Sequence, residues 1–388
     1  MINASRSPRA FVLLCTALAR PRALGGLREA EWNDLVPAAR SAGVLARLAR
    51  LLEREGVFHE LPVRVANHLA GAVRAADANQ RIILWELDRV ERALRDCAVR
   101  PIALKGAGYA LAGLTAAEGR VFSDLDLLVP RQDLEEVERL LAAGGWRSRD
   151  LDDYDQRYYR AWMHEIPPLR HRVREVEVDI HHNLLPLTGR VALDAGLLHT
   201  SARPSASRRT LVLAPPDMVL HSAAHLFFGG EFERGLRDLS DVHLLLGEFA
   251  RTEPDFWMDL VDRSMQLGLA RPLLYALRFC VRLFGTPVPD EVLVSLGTRG
   301  PNALARVAMD WAVPLALLPD TSDERWMRKG LARRLLWSRS HWLRMPPGML
   351  AYHFARKSWK RLAAPRGEQG GEPADAGIAQ RIGRVNRD

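Results

Sequence analysis

Ser123-Asp124-Leu125-Asp126-Leu127-Leu128-Val129 sets two carboxylates one residue apart in an otherwise apolar run. On a strand, side chains alternate between faces, so Asp124 and Asp126 share one face while Leu125, Leu127 and Val129 share the other. Carboxylates held side by side at the edge of a core repel each other and lose hydration. Such a pair needs a compensating cation, and an oxygen-liganded Mg²⁺ meets that need. The same alternation also describes a half-exposed strand whose polar residues simply face solvent. A third carboxylate comes from Val176-Glu177-Val178-Asp179-Ile180-His181, where Glu177, Asp179 and His181 alternate with three aliphatic residues.

The elements that must position these groups are legible nearby. Val99 to Gly106 reads as a short strand ending at a glycine, and Ala107 to Ala117 as a small-residue helix. In the turn Lys105-Gly106-Ala107-Gly108, the lysine offers a positive point charge and the glycines let backbone amides approach a phosphate at the helix start. The bland alternative is a glycine turn whose lysine faces water. Arg120, just before the first aspartate, could orient that loop, contact phosphate or form an ordinary salt bridge.

Taken in order, three segments resemble a bacterial family of largely uncharacterised nucleotidyltransferases in the polymerase-beta-like superfamily. They are Leu104-Lys105-Gly106, then Arg120-Val121-Phe122-Ser123-Asp124-Leu125-Asp126-Leu127-Leu128-Val129, then Val178-Asp179-Ile180-His181. Pro216-Asp217 with His225, followed by Leu236-Arg237 and Asp241, is similar to a helical segment of that family, so the likeness spans about residues 100 to 245. The resemblance implies an α+β fold, a small mixed-sheet nucleotidyltransferase core with helical regions on both sides. It implies Asp124, Asp126 and Asp179 as catalytic ligands of Mg²⁺, and Lys105, Gly106, Ser123 and Arg120 as nucleotide-binding residues. The implied substrates are a nucleoside triphosphate and a hydroxyl acceptor of unknown identity, the hydroxyl attacking the α-phosphate in line as pyrophosphate leaves. Asp179 would ligate the metal or act as general base. One departure concerns phosphate binding: members of the wider superfamily carry Gly-Ser at the first helix, and here the hydroxyl is missing and Lys105 stands in its region.

The 388-residue chain, 48% hydrophobic, is long enough for two or three folded units. We expect a helical region over 1–98, a nucleotidyltransferase αβ core over 99–205 built on a three-stranded sheet, a helical domain over 206–364 and a disordered tail over 365–388. In the first region, Val44, Leu45, Leu48, Leu51 and Leu52 recur at helical spacing, as do Ile82, Ile83, Leu84, Leu87, Val90 and Leu94. The apolar run from Ala10 to Ala19 is short, flanked by arginines and followed by Arg20-Pro21-Arg22, which reads as a helix and not as a signal peptide. Cys15, Cys97 and Cys280 are too few and too scattered for a disulfide framework or a zinc knuckle. No stretch reaches the ~20 apolar residues needed to cross a bilayer, and the cytoplasm is the expected compartment.

The net charge of +8 comes from 55 basic against 47 acidic residues, and the excess gathers late. Arg325, Arg328, Lys329, Arg333, Arg334, Arg339, Arg344, Arg356, Lys357, Lys360 and Arg361 interleave with Trp326, Trp337, Trp342 and Trp359. Such a segment suits nucleic acid or an anionic membrane surface. It equally suits an amphipathic helix whose tryptophans pack inward with Leu331, Leu335, Leu336 and Leu343. The second function class is therefore a catalytically inactive nucleotidyltransferase-like protein that binds nucleic acid or membrane through this region. His221 and His225, at i and i+4 with Asp238 and Asp241 downstream, have Zn²⁺-compatible spacing, although Ser222 stands where the general-base glutamate of His-Glu-x-x-His would be. His181 is expected to support Asp179.

Overall fold

A computed structural model describes residues 8–148, 158–207, 209–298, 300–321 and 326–351. Four helices come first: α1 (Arg9–Ala19), α2 (Glu29–Ser41), α3 (Leu45–Arg54) and the long α4 (Val63–Ala93). The apolar run from Ala10 to Ala19 lies in α1, whose Phe11, Leu14, Cys15 and Leu18 are buried. Along α4 the apolar stripe serves two cores in turn. Val65, Leu69, Val73 and Ala76 join the large helical core, whereas Ile83, Leu87 and Val90 join the core beneath the sheet.

The αβ unit follows as β1 (Ile102–Ala103), α5 (Lys105–Leu111), β2 (Asp124–Leu128), α6 (Leu134–Ala143), β3 (Trp146–Ser148), β4 (Leu169–His171) and β5 (Glu177–His181). Then come α7 (Gly196–Ser201), β6 (Arg203–Pro204) and β7 (Leu211–Val212). The sheet is mixed, in the order β3-β4-β5-β2-β1-β7-β6, with β2–β5 and β1–β7 parallel and the other pairs antiparallel. Seven strands replace the three expected, and the sheet runs past residue 205. The added strands have only two or three residues each, too few to show alternation, although Trp146, Leu169 and Val212 in them are buried in the cores. Leu125, Leu127, Val129, Val178 and Ile180 do face one core, covered by Ile83, Leu87 and Val90 of α4 and by Val137 and Leu141 of α6.

Helices resume as α8 (Pro215–Gly229), α9 (Gly235–Thr252), α10 (Phe256–Gln266), α11 (Ala270–Phe284), α12 (Asp290–Gly297), α13 (Ala303–Ala316) and α14 (Trp326–Arg344). Their apolar faces share one continuous core with α1, α2 and α3. Cys15, Cys97 and Cys280 are buried free thiols. Among the described residues, no helix is long and apolar enough to cross a membrane.

Trp337 and Trp342 of α14 do not pack inward. The helix buries Ala332, Leu336 and Ser340 at i, i+4 and i+8, leaving Leu331 at 59%, Leu335 at 43%, Trp337 at 44% and Trp342 at 48% exposure. Small residues dock this helix because Ser340 must reach the carbonyl of Gly229, 3.0 Å away at the end of α8. Several of its arginines serve the fold: Arg339 donates to the Phe227 carbonyl at 2.8 Å and Arg344 to that of Gly229 at 2.6 Å. The tail over 365–388, and the basic and Trp residues from Arg356 to Arg361, lie outside the described residues.

Candidate active site

Strand register brings the carboxylates together. β2 and β5 run parallel with Asp126 opposite Asp179 and Asp124 opposite Glu177, so the two strands present their acidic residues on one face. Asp124, Asp126 and Asp179 each place a carboxylate oxygen within 4.8 Å of the others. Apolar neighbours on the opposite face fix this arrangement, because a one-residue slip would turn the aspartates into the core.

Lys105 completes the centre. Its Nζ lies 3.1 Å from Asp126 Oδ1, and its backbone sits at φ 43°, the only non-glycine residue with positive φ among those described. A lysine gains nothing intrinsic from this left-handed conformation, so the surrounding turn and the ion pair must hold it there. The lysine is thus turned inward to a carboxylate and not outward to water.

The titration behaviour follows from this geometry. Burial alone would raise the Asp126 carboxyl, but Lys105 and a hydrogen bond from His181 hold it well below the usual carboxylate range. Asp124 is raised, first by burial and then by Asp126. Asp179 is raised well above its ordinary value by burial and by the negative charges of Asp124, Glu165 and Asp126. Its Oδ1 is buried and has no hydrogen-bond partner. Three acids thus lie together, one of them paired with Lys105, and one oxygen of Asp179 is buried without a partner. An all-oxygen set with surplus negative charge fits a hard divalent cation.

His181 supports Asp126 and not Asp179: its Nε2 is 2.9 Å from Asp126 Oδ1. Ser123 is exposed and donates to Asp124 at 3.1 Å. The residue before it is clamped from α4, where Asn79 Oδ1 accepts from the Phe122 amide at 2.7 Å and its Nδ2 donates to the Phe122 carbonyl at 3.1 Å. That clamp had no sequence signal, since asparagine on a long helix reads as surface.

Two residues expected at the nucleotide have structural work. Arg120 is buried and pairs with Asp241 and with Asp238 at 3.5 Å, both on α9. Arg47 of α3 joins them 2.6 Å from Asp241, so this network ties the first helical region, the loop before β2 and α9 together. The ordinary-salt-bridge reading of Arg120 is the one the geometry supports. Gly106 is buried, and a Cβ there would strike the Phe122 ring, while a Cβ on Gly108 would lie 2.6 Å from the Ala103 carbonyl oxygen. Close packing of α5 against Phe122 before β2 and against Ala103 of β1 accounts for the two glycines without a phosphate.

The zinc-compatible spacing of His221 and His225 gathers no metal-binding cluster among the described residues. The rings stand 6.5 Å apart, edge to face, and Asp238 and Asp241 are taken by arginines. Among the described residues, the clusters able to hold a metal are Asp124–Asp126–Asp179 and a second one that sequence reasoning missed, His164–Glu165–His181. Burial, with help from His181, pushes the His164 imidazole well below its ordinary value, so this ring is neutral. The dipeptide His164-Glu165 lies in a bend before β4 and carries no periodic signal.

The sequence model of a family described as uncharacterised nucleotidyltransferase matches residues 28–285. No curated protein and no solved structure matches the chain.

Proposed function

The chain belongs to this family of uncharacterised nucleotidyltransferases, and from that premise we propose that it transfers a nucleotide from a nucleoside triphosphate to a hydroxyl acceptor with the aid of Mg²⁺. The observation that carries this reading is the convergence of Asp124, Asp126 and Asp179 within 4.8 Å on one face of β2 and β5. These three carboxylates would hold the cation. Bound there, it neutralises phosphate charge and lowers the pKa of the attacking hydroxyl.

The protein's own groups do the remainder. Lys105, already directed into the acidic centre, contributes a fixed positive charge to the triphosphate. Ser123, exposed at the mouth of β2, offers a hydroxyl to the same phosphates. Asp126 is kept ionised by Lys105 and His181, so it presents a charged carboxylate throughout. The acceptor oxygen attacks the α-phosphorus, the bond from that phosphorus to the bridging oxygen breaks, and pyrophosphate leaves with the electron pair. Asp179 Oδ1, unbonded in the site, takes the hydroxyl proton.

The test is to incubate the purified full chain with each α-labelled nucleoside triphosphate, Mg²⁺ and fractionated small-molecule, RNA and protein acceptors. Label transfer with stoichiometric pyrophosphate release is expected, lost in Asp124→Asn and Asp126→Asn. Unchanged turnover in both variants would sink the assignment. A second reading draws on the exposed Leu331, Leu335, Trp337 and Trp342 beside Arg328 and Arg334 on α14. In it the protein binds an anionic membrane surface or nucleic acid and catalyses nothing. It predicts salt-sensitive binding to anionic vesicles or RNA with no transfer in any assay.

A further inference from the structure

We propose that His164, Glu165 and His181 form a second divalent-cation site, of Zn²⁺-preferring chemistry, directly beside the aspartate triad. The backbone holds two of its three side chains in place. The segment carrying His164 and Glu165 lies antiparallel to the end of β5, with Glu165 directly opposite His181. Ile166 N donates to the Ile180 carbonyl at 3.0 Å, and His182 N to that of His164 at 2.8 Å. Directly opposed residues on neighbouring strands bring their side chains within contact distance.

The ligand atoms then converge. His181 Nε2 lies 2.9 Å from Asp126 Oδ1, and on the other side of the ring Nδ1 faces Glu165 Oε2, 3.4 Å away. Ligand atoms ~2.0–2.1 Å from a tetrahedral Zn²⁺ stand about 3.3 Å apart, which is close to the spacing found here. His164 brings a further ring nitrogen into the same 4.8 Å cluster, and its Nδ1 is buried without a hydrogen-bond partner.

Two imidazoles and one carboxylate select for Zn²⁺ or Co²⁺ over Mg²⁺, which prefers oxygen. A cation on His181 Nδ1 would also lock the Nε2–H tautomer and so keep Asp126 oriented for its own task. Contacts of His181 with Glu165 and Asp126 alone are the competing explanation, but they leave the orphaned His164 nitrogen unaccounted for.

The proposal does not depend on nucleotide transfer, because metal binding is read without substrate. Full-length protein stripped with a chelator is titrated with Zn²⁺ by calorimetry and with Co²⁺ by visible absorption, whose d–d bands report nitrogen ligation. We expect one equivalent bound, an affinity at least tenfold weaker in His164→Gln and in Glu165→Gln, and retention of the site in Asp124→Asn. The Glu165 side chain is 21% exposed, so its amide variant tests the idea even if the His164 variant fails to fold. Absence of binding in the parent protein, unchanged affinity in Glu165→Gln, or equal loss in Asp124→Asn would each overturn the assignment.

Discussion

Asp179→Asn is expected to make the metal-free protein more stable while abolishing transfer. Two unit charges within 4.8 Å of each other repel by at least about 3.5 kcal/mol at an effective dielectric of ~20. Asp179 faces both Asp124 and Asp126, and Lys105 offsets only part of that repulsion. Solvent reaches Asp124 and Asp179, which are half-buried, so we discount the net relief to about 1–2 kcal/mol. In domains of ~150–250 residues, each kcal/mol moves the melting temperature by about 2–4 °C. Mg²⁺ should act in the opposite sense on the two proteins. A cation at about a hundred times its dissociation constant adds about 2.7 kcal/mol to the parent protein, and little to a variant lacking one of the three ligands. The pH dependence carries its own sign. Because Asp179 is raised in the folded state, its contribution to stability is full below the unfolded carboxylate range and is lost as pH rises through its folded value. Metal-free parent protein should thus lose stability across that rise, and the variant should not. The assay is differential scanning calorimetry in chelator and in Mg²⁺ over a pH series. A lower melting temperature for the variant in chelator, or an equal Mg²⁺ gain in both proteins, would refute the argument.

Lys105→Ala should raise the dissociation constant for a nucleoside triphosphate about tenfold, ~1.4 kcal/mol, in titration calorimetry; identical affinity would leave the lysine only its ion pair with Asp126. Lys105→Gly should lose the same affinity yet melt higher than Lys105→Ala, since glycine accepts the φ of 43° at a saving of about 1 kcal/mol. Arg120→Met should cost about 3–5 kcal/mol by denaturant unfolding, because it strands Asp241 and Asp238 in a buried network; a loss confined to nucleotide affinity would return Arg120 to the phosphates.

The sequence made the chemistry legible where chemistry and periodicity coincide. The alternation in β2 and β5 sets Asp124, Asp126 and Asp179 against Leu125, Leu127, Val178 and Ile180, and the parallel register confirms that pairing. What stayed hidden depends on contacts between distant segments. Arg120 is separated by more than a hundred residues from Asp238 and Asp241, and nothing local distinguishes an arginine that meets a phosphate from one that meets a buried carboxylate. Gly106 and Gly108 are a related case, in which the sequence shows that a side chain is missing but not what fills the space. For Trp337 and Trp342 of α14, hydrophobicity left an inward-packed face and an exposed one equally open, and the close approach of Ser340 to the end of α8 decides between them.

The surroundings of two groups of buried or half-buried aspartates differ in a way that separates scaffold from site. Asp238 and Asp241 meet Arg47, Arg120 and Arg237, at least as many cations as anions. Despite burial, Arg237 and Arg120 hold Asp238 below its ordinary range. Among the described residues, the ion pair that Asp124, Asp126 and Asp179 make with a lysine or arginine is that of Asp126 with Lys105, and the other two carboxyls are raised. A fold that needed only to satisfy its carboxylates would have treated both groups alike. The charge left uncompensated in the second group, gathered on one face of the sheet and framed by a balanced network behind it, marks where a divalent cation and the phosphates it carries would enter.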